Sequence, residues 1–123
     1  QKLISFHNKR SQLATVTAVR PPARFGSLTI VEDLVINFGE KIQSKEGWIN
    51  GGFFVLNKKV IDYIPDLNTP FEDTPLEKLS IDKELNAFQH TGFWYPVDTL
   101  REKLVLENLI LENDGKLPWK IDR

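Results

Sequence analysis

The amino-acid sequence predicts an α/β fold: a mixed sheet with flanking helices and a β-hairpin. Three observations carry that expectation. Residues 13–19, LATVTAV, are β-rich, apolar on alternate positions and filled in by Ala14 and Ala18. That is the pattern of a strand buried on both faces, as in a parallel sheet. Helix-like and strand-like segments then interleave along the chain, the order expected of α/β rather than all-α or all-β architecture. Finally, two short apolar runs, residues 27–31 and 34–38, flank Glu32-Asp33, which is a hairpin signal and supplies the antiparallel part.

Each element follows from its own residues. Residues 2–7, KLISFH, have the spacing of the last turns of an amphipathic helix and end in the polar run Asn8-Lys9-Arg10-Ser11. Pro21-Pro22 stops the first strand, because proline cannot donate to a ladder. After the hairpin, residues 39–47 are polar loop, and residues 52–56, GFFVL, are another apolar strand. Residues 58–64 form a helical turn that ends before Pro65, and residues 66–74 are a loop rich in Pro, Asp and Thr. Residues 75–83 carry Leu76, Leu79 and Ser80 on one side of a helix, with Pro75 suited to its first position. Residues 85–97, alternating and aromatic, read as strand. Thr99 with Glu102 three residues on is a capping box. It opens a helix whose apolar face is Leu100, Leu104 and Leu111, helped by Val105 and Ile110, running to about Asn113 with Gly115 as its stop. No repeat and no linker divides the chain, so residues 1–123 are expected to be part of a single domain.

Composition excludes several classes. The 123 residues are 27% charged and 41% hydrophobic, with a net charge of −1, which excludes collagen-like, coiled-coil and strongly disordered chains. A near-neutral balance argues against a nucleic-acid coat or a polybasic membrane patch. No run of about 18 apolar residues exists to cross a membrane, and the start lacks the apolar stretch of a signal peptide. The absence of Cys removes disulfides, thiolate metal sites and cysteine nucleophiles. His7 and His90 have no partners at ligand spacing, and no catalytic-triad, H-E-x-x-H, P-loop or G-x-G-x-x-G pattern occurs. Trp48, Trp94 and Trp119 read as packing residues, since the basic interleaving of a nucleic-acid stacking platform is missing. Gln1 stands where a whole chain carries Met, and the first residues read as the interior of an element. This is the signature expected of a piece of a longer protein.

Four places could carry chemistry, and each has a plain structural alternative. Gly26, after a proline-rich turn, could let backbone approach a ligand or could simply be a turn. Glu40-Lys41 at a strand end could hold a sugar hydroxyl and a phosphate, lysine being a compact point charge, or could be a solvated pair. Asn50-Gly51-Gly52 could set an amide and backbone N–H groups against a polar ligand; Asn-Gly is also the commonest turn dipeptide. Asp98, just outside a helix N-terminus, could bind Mg²⁺, which takes one or two carboxylates plus phosphate oxygens, or could cap the helix.

The order of these signals is more specific than any one of them. The series TVTAVRPPARFGSL, FGEK, GWINGGFFVLNKKVIDYI, HTGFWYPVDTLREK and LPWK resembles the sugar-phosphate nucleotidyltransferases, in their cytidylyltransferase branch, from about Leu3 to Lys120. WINGGFFV and HTGFWxPxDTLR are the specific parts; elsewhere in the superfamily the last motif usually reads W-x-D-x-G-T. The resemblance implies the C-terminal part of a Rossmann-like nucleotidyltransferase domain, without the family's glycine-rich G-G-x-G-T-R-L loop, PKP segment and first metal-binding Asp. It implies cytidylyl transfer from CTP to α-D-glucose 1-phosphate with Mg²⁺, by a cytoplasmic homo-oligomer that makes precursors of surface polysaccharide. Nucleic acid and membrane are not implied as partners. A uridylyl- or thymidylyltransferase of the same superfamily, or a non-catalytic α/β module, are the alternatives.

Residue by residue, the resemblance places Gly26 against the sugar and Glu40 on its hydroxyls. Lys41 falls on the 1-phosphate, and Asn50, Gly51 and Gly52 on the floor of the sugar pocket. Asp98 falls on Mg²⁺, so Lys41 and Asp98 are the catalytic pair. Ile42 stands where the family usually has proline after the Glu-Lys pair. The portion alone is expected to be inactive.

Overall fold

A computed structural model describes residues 1–22, 27–39 and 47–119, with backbone alone described at 27–30 and 36–39. The chain forms two compact units, Gln1–Val19 with Ile49–His90, and Arg20–Trp48 with Thr91–Arg123.

The first unit is built on a three-stranded mixed sheet. Helix α1 (Lys2–Asn8) leads into strand β1 (Ala14–Val19). β1 is the middle strand, antiparallel to β4 (Ile49–Leu56) and parallel to β5 (Leu85–Gln89). Both faces of β1 are covered, as its sequence predicts. On one face Ala14 packs with Val60 of a 3₁₀ turn (Lys58–Tyr63) and with Leu79 of helix α2 (Thr74–Ile81), joined by Leu13, Tyr63, Phe71, Leu76 and Leu85. On the other face the buried Thr15 hydroxyl meets the buried His7 ring of α1, Oγ1 to Nδ1 at 2.8 Å. Phe6 of α1 meets Phe88 of β5 edge-on, with ring centroids 5.4 Å apart. Small and β-branched side chains along β1 allow both layers to approach, and the branched ones favour the extended backbone.

The sheet also explains where expectation and structure part. Residues 85–97 read as one strand, yet β5 stops at Gln89. Its only described neighbour is β1, which ends at Val19 just before Pro21-Pro22. The His90 N–H makes the last bond to β1, to the Ala18 carbonyl at 2.9 Å. Beyond that point the aromatic run has no described strand to pair with, and it continues without regular structure to the next helix. In the other direction, β4 begins at Ile49, three residues before the expected Gly52. The reason is that residues 49 and 50 pair with Val19 and Ala18.

α2 begins at Thr74 with Pro75 in its first turn. It is tied to the 3₁₀ turn by the Tyr63 hydroxyl, which donates to Asp82 Oδ2 at 2.8 Å. That bond, followed by weaker desolvation and the nearby Asp82 and Glu84 charges, holds the Tyr63 phenol above its ordinary value of 10.0.

In the second unit, β2 (Ser27–Val31) and β3 (Leu34–Gly39) form the expected antiparallel hairpin. Glu32 and Asp33 both take positive φ, 48° and 65°, the two-residue turn whose twist matches paired strands. Helix α3 (Leu100–Glu112) has the full reciprocal capping box. It ends through Asp114 and Gly115, φ 53° and 74°, with the Gly115 N–H reaching back to the Ile110 carbonyl at 2.8 Å. The expected apolar face departs from a buried one. Leu100, Leu104 and Leu111 are 70%, 51% and 74% exposed, and the described residues of the unit bury no residue of this helix. No helix among the described residues is long and apolar enough to cross a membrane.

Two outcomes test this account. Leu79 is fully buried, so Leu79→Ala should cost about 2–5 kcal/mol in urea unfolding. The Tyr63 phenol, followed by its ultraviolet absorbance, should titrate above 10 and move back toward it in Asp82→Asn. Because the folded phenol is the raised one, the bond's stabilisation is present below the unfolded value and lost as pH climbs through the raised one.

Candidate functional site

Asn50, Gly51 and Gly52 lie together at a bulge in β4. Val16 pairs with Phe54 and Ala18 with Asn50, so Gly51, Gly52 and Phe53 stand opposite the single residue Thr17. Gly52 has φ +83°, a conformation that costs other L-residues strain. Its N–H donates to Asn50 Oδ1 at 2.8 Å, an Asx turn that holds the bulge from within. Gly51 is buried, and the reason is close packing. A Cβ there would lie 2.9 Å from Val19 Cγ1 and 3.0 Å from the Thr17 carbonyl oxygen. The Thr17 hydroxyl beside this bulge is buried, with no hydrogen-bond partner among the described residues.

The far end of the Asn50 carboxamide is also held. Its Nδ2 donates to Glu72 Oε1 at 3.0 Å. Glu72 lies in the turn that leads into α2, and sequence reasoning did not find it. The two residues are 22 apart with no periodic relation, so nothing local signals the pair. Asn50 and Glu72 are both exposed. After these bonds the carboxamide keeps one N–H and further acceptor capacity, and the carboxylate keeps acceptor sites. Donor and acceptor groups side by side are what a polyhydroxylated ligand requires.

Asp98 lies in the second unit, immediately before α3. The cap is made by its neighbours. Thr99 Oγ1 accepts from the Glu102 N–H at 3.2 Å. Glu102 Oε2 accepts from the Thr99 N–H at 3.0 Å, from the Thr99 hydroxyl at 3.1 Å and from the Asp98 N–H at 2.9 Å. The Asp98 backbone is therefore fixed by the cap while its carboxylate takes no part in it. Among the described residues no cluster of three or more His, Asp or Glu side chains could hold a metal ion. Asp98 offers one exposed carboxylate, which meets the chemistry of a single Mg²⁺ ligand completed by phosphate oxygens and water.

Gly26, Glu40 and Lys41 lie outside the described residues. Of the tryptophans, Trp48 carries the Arg20 guanidinium 4.8 Å above its ring, and Trp119 packs against Phe93 at 6.1 Å.

No protein-family model matches the chain. Individual proteins do. Glucose-1-phosphate cytidylyltransferase of Salmonella typhi is 50% identical over 117 residues, covering 95% of this chain and 45% of its own. A Bacillus subtilis protein provisionally assigned the same activity is 44% identical over 97% of this chain and 46% of its own. Over nearly its whole length the chain is similar to glucose-1-phosphate cytidylyltransferases. It spans a little under half of the length of these cytidylyltransferase relatives. Mannose-1-phosphate guanyltransferase of Schizosaccharomyces pombe is more distant, at 31% identity over 83% of this chain and 30% of its own. Among solved structures, a Bacillus anthracis protein provisionally assigned as a glucose-1-phosphate thymidylyltransferase, in complex with sucrose, superposes with a TM-score of 0.54. It covers 98% of this chain and 49% of its own at 19% identity, a likeness of fold. The expected α/β nucleotidyltransferase fold is thus borne out.

The bulge gives a direct test. Gly51→Ala should destabilise the protein by about 1–3 kcal/mol, the cost of overpacking a filled site, measured by thermal or urea unfolding. Unchanged stability would show that Val19 and Thr17 do not close on this position.

Proposed function

We propose that this chain is the C-terminal, sugar-phosphate-side portion of a nucleotidyltransferase domain that transfers a cytidylyl group from CTP to α-D-glucose 1-phosphate, giving CDP-glucose and pyrophosphate. The observation that carries it is 50% identity over nearly the whole chain to a glucose-1-phosphate cytidylyltransferase. The fold likeness to a nucleotidyltransferase and the polar Asn50–Glu72 pair at the β4 bulge support it.

In this reading a phosphate oxygen of the sugar phosphate attacks the α-phosphorus of CTP in line. The bond from that phosphorus to the bridging oxygen breaks, and pyrophosphate leaves with its electron pair. No covalent enzyme intermediate is formed, and the work is positioning and charge neutralisation. Lys41 neutralises the incoming phosphate, and Glu40 holds sugar hydroxyls. Asn50, Gly51 and Gly52 floor the sugar pocket, with Gly26 against the sugar by its backbone. Asp98 is this chain's ligand to Mg²⁺, which supplies compensation of the phosphate charge when bound. The nucleotide loop belongs to the part of the domain outside this chain. The same reading carries a cytoplasmic homo-oligomer that feeds synthesis of surface polysaccharide. The match to a mannose-1-phosphate guanyltransferase favours, as a second reading, the same chemistry on another sugar or base.

The test uses the full-length protein that contains this chain. Pyrophosphate release should require CTP, glucose 1-phosphate and Mg²⁺ together. Lys41→Ala should lose turnover by about 10²-fold or more, the scale of one transition-state charge contact, whereas Lys9→Ala should change little. Equal use of all nucleotides and sugar phosphates would defeat the specific assignment. Equal small losses in the two lysine variants would return Lys41 to a solvated loop.

A further inference from the structure

We propose that Glu72 is a positioning residue for the sugar phosphate, acting through Asn50; the inference rests on the function proposed above. An asparagine side chain can be turned over at little intrinsic cost, which exchanges its donor and acceptor ends. At Asn50 both ends are committed. Oδ1 accepts from the Gly52 N–H at 2.8 Å, and Nδ2 donates to Glu72 Oε1 at 3.0 Å. Turning the amide over would set its NH₂ against the Gly52 N–H and its oxygen against a carboxylate. Both bonds would be lost and two like-signed contacts made.

Glu72 is the long-range half of this clamp. Gly52 fixes the amide only locally, within the bulge. Glu72 comes from the turn before α2, whose Leu79 is anchored in the core, so it refers the amide to the body of the unit. The remaining Asn50 N–H and acceptor sites then point in one defined sense, and a hydroxyl-bearing ligand meets a preorganised pair rather than a rotor. Glu72 and Asn50 are both exposed, so the pair has no role in filling the core. Its specificity contribution is to ligand placement.

The experiment is kinetic and uses the full-length protein. Glu72→Ala should raise KM for glucose 1-phosphate about five- to tenfold, the worth of one ordinary hydrogen bond at an exposed site. KM for CTP and the melting temperature should stay where they are. Glu72→Gln keeps an acceptor for Asn50 Nδ2 and should restore most of the KM. Asn50→Ala should raise the same KM, and Glu72→Ala added to Asn50→Ala should do no further harm, because the two act as one unit. An unchanged KM for the sugar phosphate in Glu72→Ala, equal loss for both substrates, or full additivity would overturn the inference. If the wild-type protein transfers no cytidylyl group, the activity reading fails by itself. Glu72 is then judged by calorimetric binding of glucose 1-phosphate, where the same weakening and rescue are expected. No binding to the wild type overturns both.

Discussion

Strand β1 is the constraint on which the first unit depends. It is the only described strand with two neighbours, one antiparallel and one parallel. It must present a surface to α1 on one side and to the 3₁₀ turn and α2 on the other. A bulky residue on either face would separate a layer from the sheet, and a polar one would need a buried partner. Ala14, Thr15, Ala18 and Val19 meet the first demand; the Thr15 hydroxyl meets the second through His7, while the buried Thr17 hydroxyl has no partner among the described residues. The rest of the three-stranded sheet is referred to this strand. The length of β5, the start of β4 and the glycines of the bulge are set by where β1 begins, ends and leaves room.

That dependence accounts for what the sequence made legible. Local devices could be read directly: the Thr99–Glu102 capping box, the Glu32-Asp33 turn, the double burial of β1 and the proline in the first turn of α2. Each depends on residues within a few positions of one another. The features that escaped depend on distant partners. The aromatic run after Gln89 has strand composition, but β1 stops at Val19 and the run forms no strand. The Asn50–Glu72 contact joins a strand to a distant turn with no periodic relation between them. The leucines of α3 have the period of a buried face, and the period cannot say what covers it.

The candidate site divides the same way. The residue types around Asn50 and Asp98 are visible as motifs, and the structure adds what holds their backbone. Asp98 was open to reading as a cap, and Thr99 holds that position instead, leaving the carboxylate outside the cap. Gly51 was open to reading as a ligand contact or a turn. It is required by Val19 and the Thr17 carbonyl, which close over it. The bulge is thus held shut by packing on one residue and by an Asx turn on the next. Asn50 sits at its edge, where rigid sheet gives way to an exposed surface. A polar group placed there inherits the precision of the sheet without being buried by it.

The bulge has one more consequence, for the length of the chain. It inserts residues into β4 while leaving the pleat in phase, since Val16–Phe54 and Ala18–Asn50 are both matched pairs on the same side of the sheet. Side chains before and after it therefore keep their faces. A slip of the pairing register by one residue on either side of it would instead turn that part of the strand inside out. Loss of a pair within the bulge would merely flatten it. A change of length at this point falls where the ladder is already broken, and only one that retains Asn50 beside Glu72 keeps that bond.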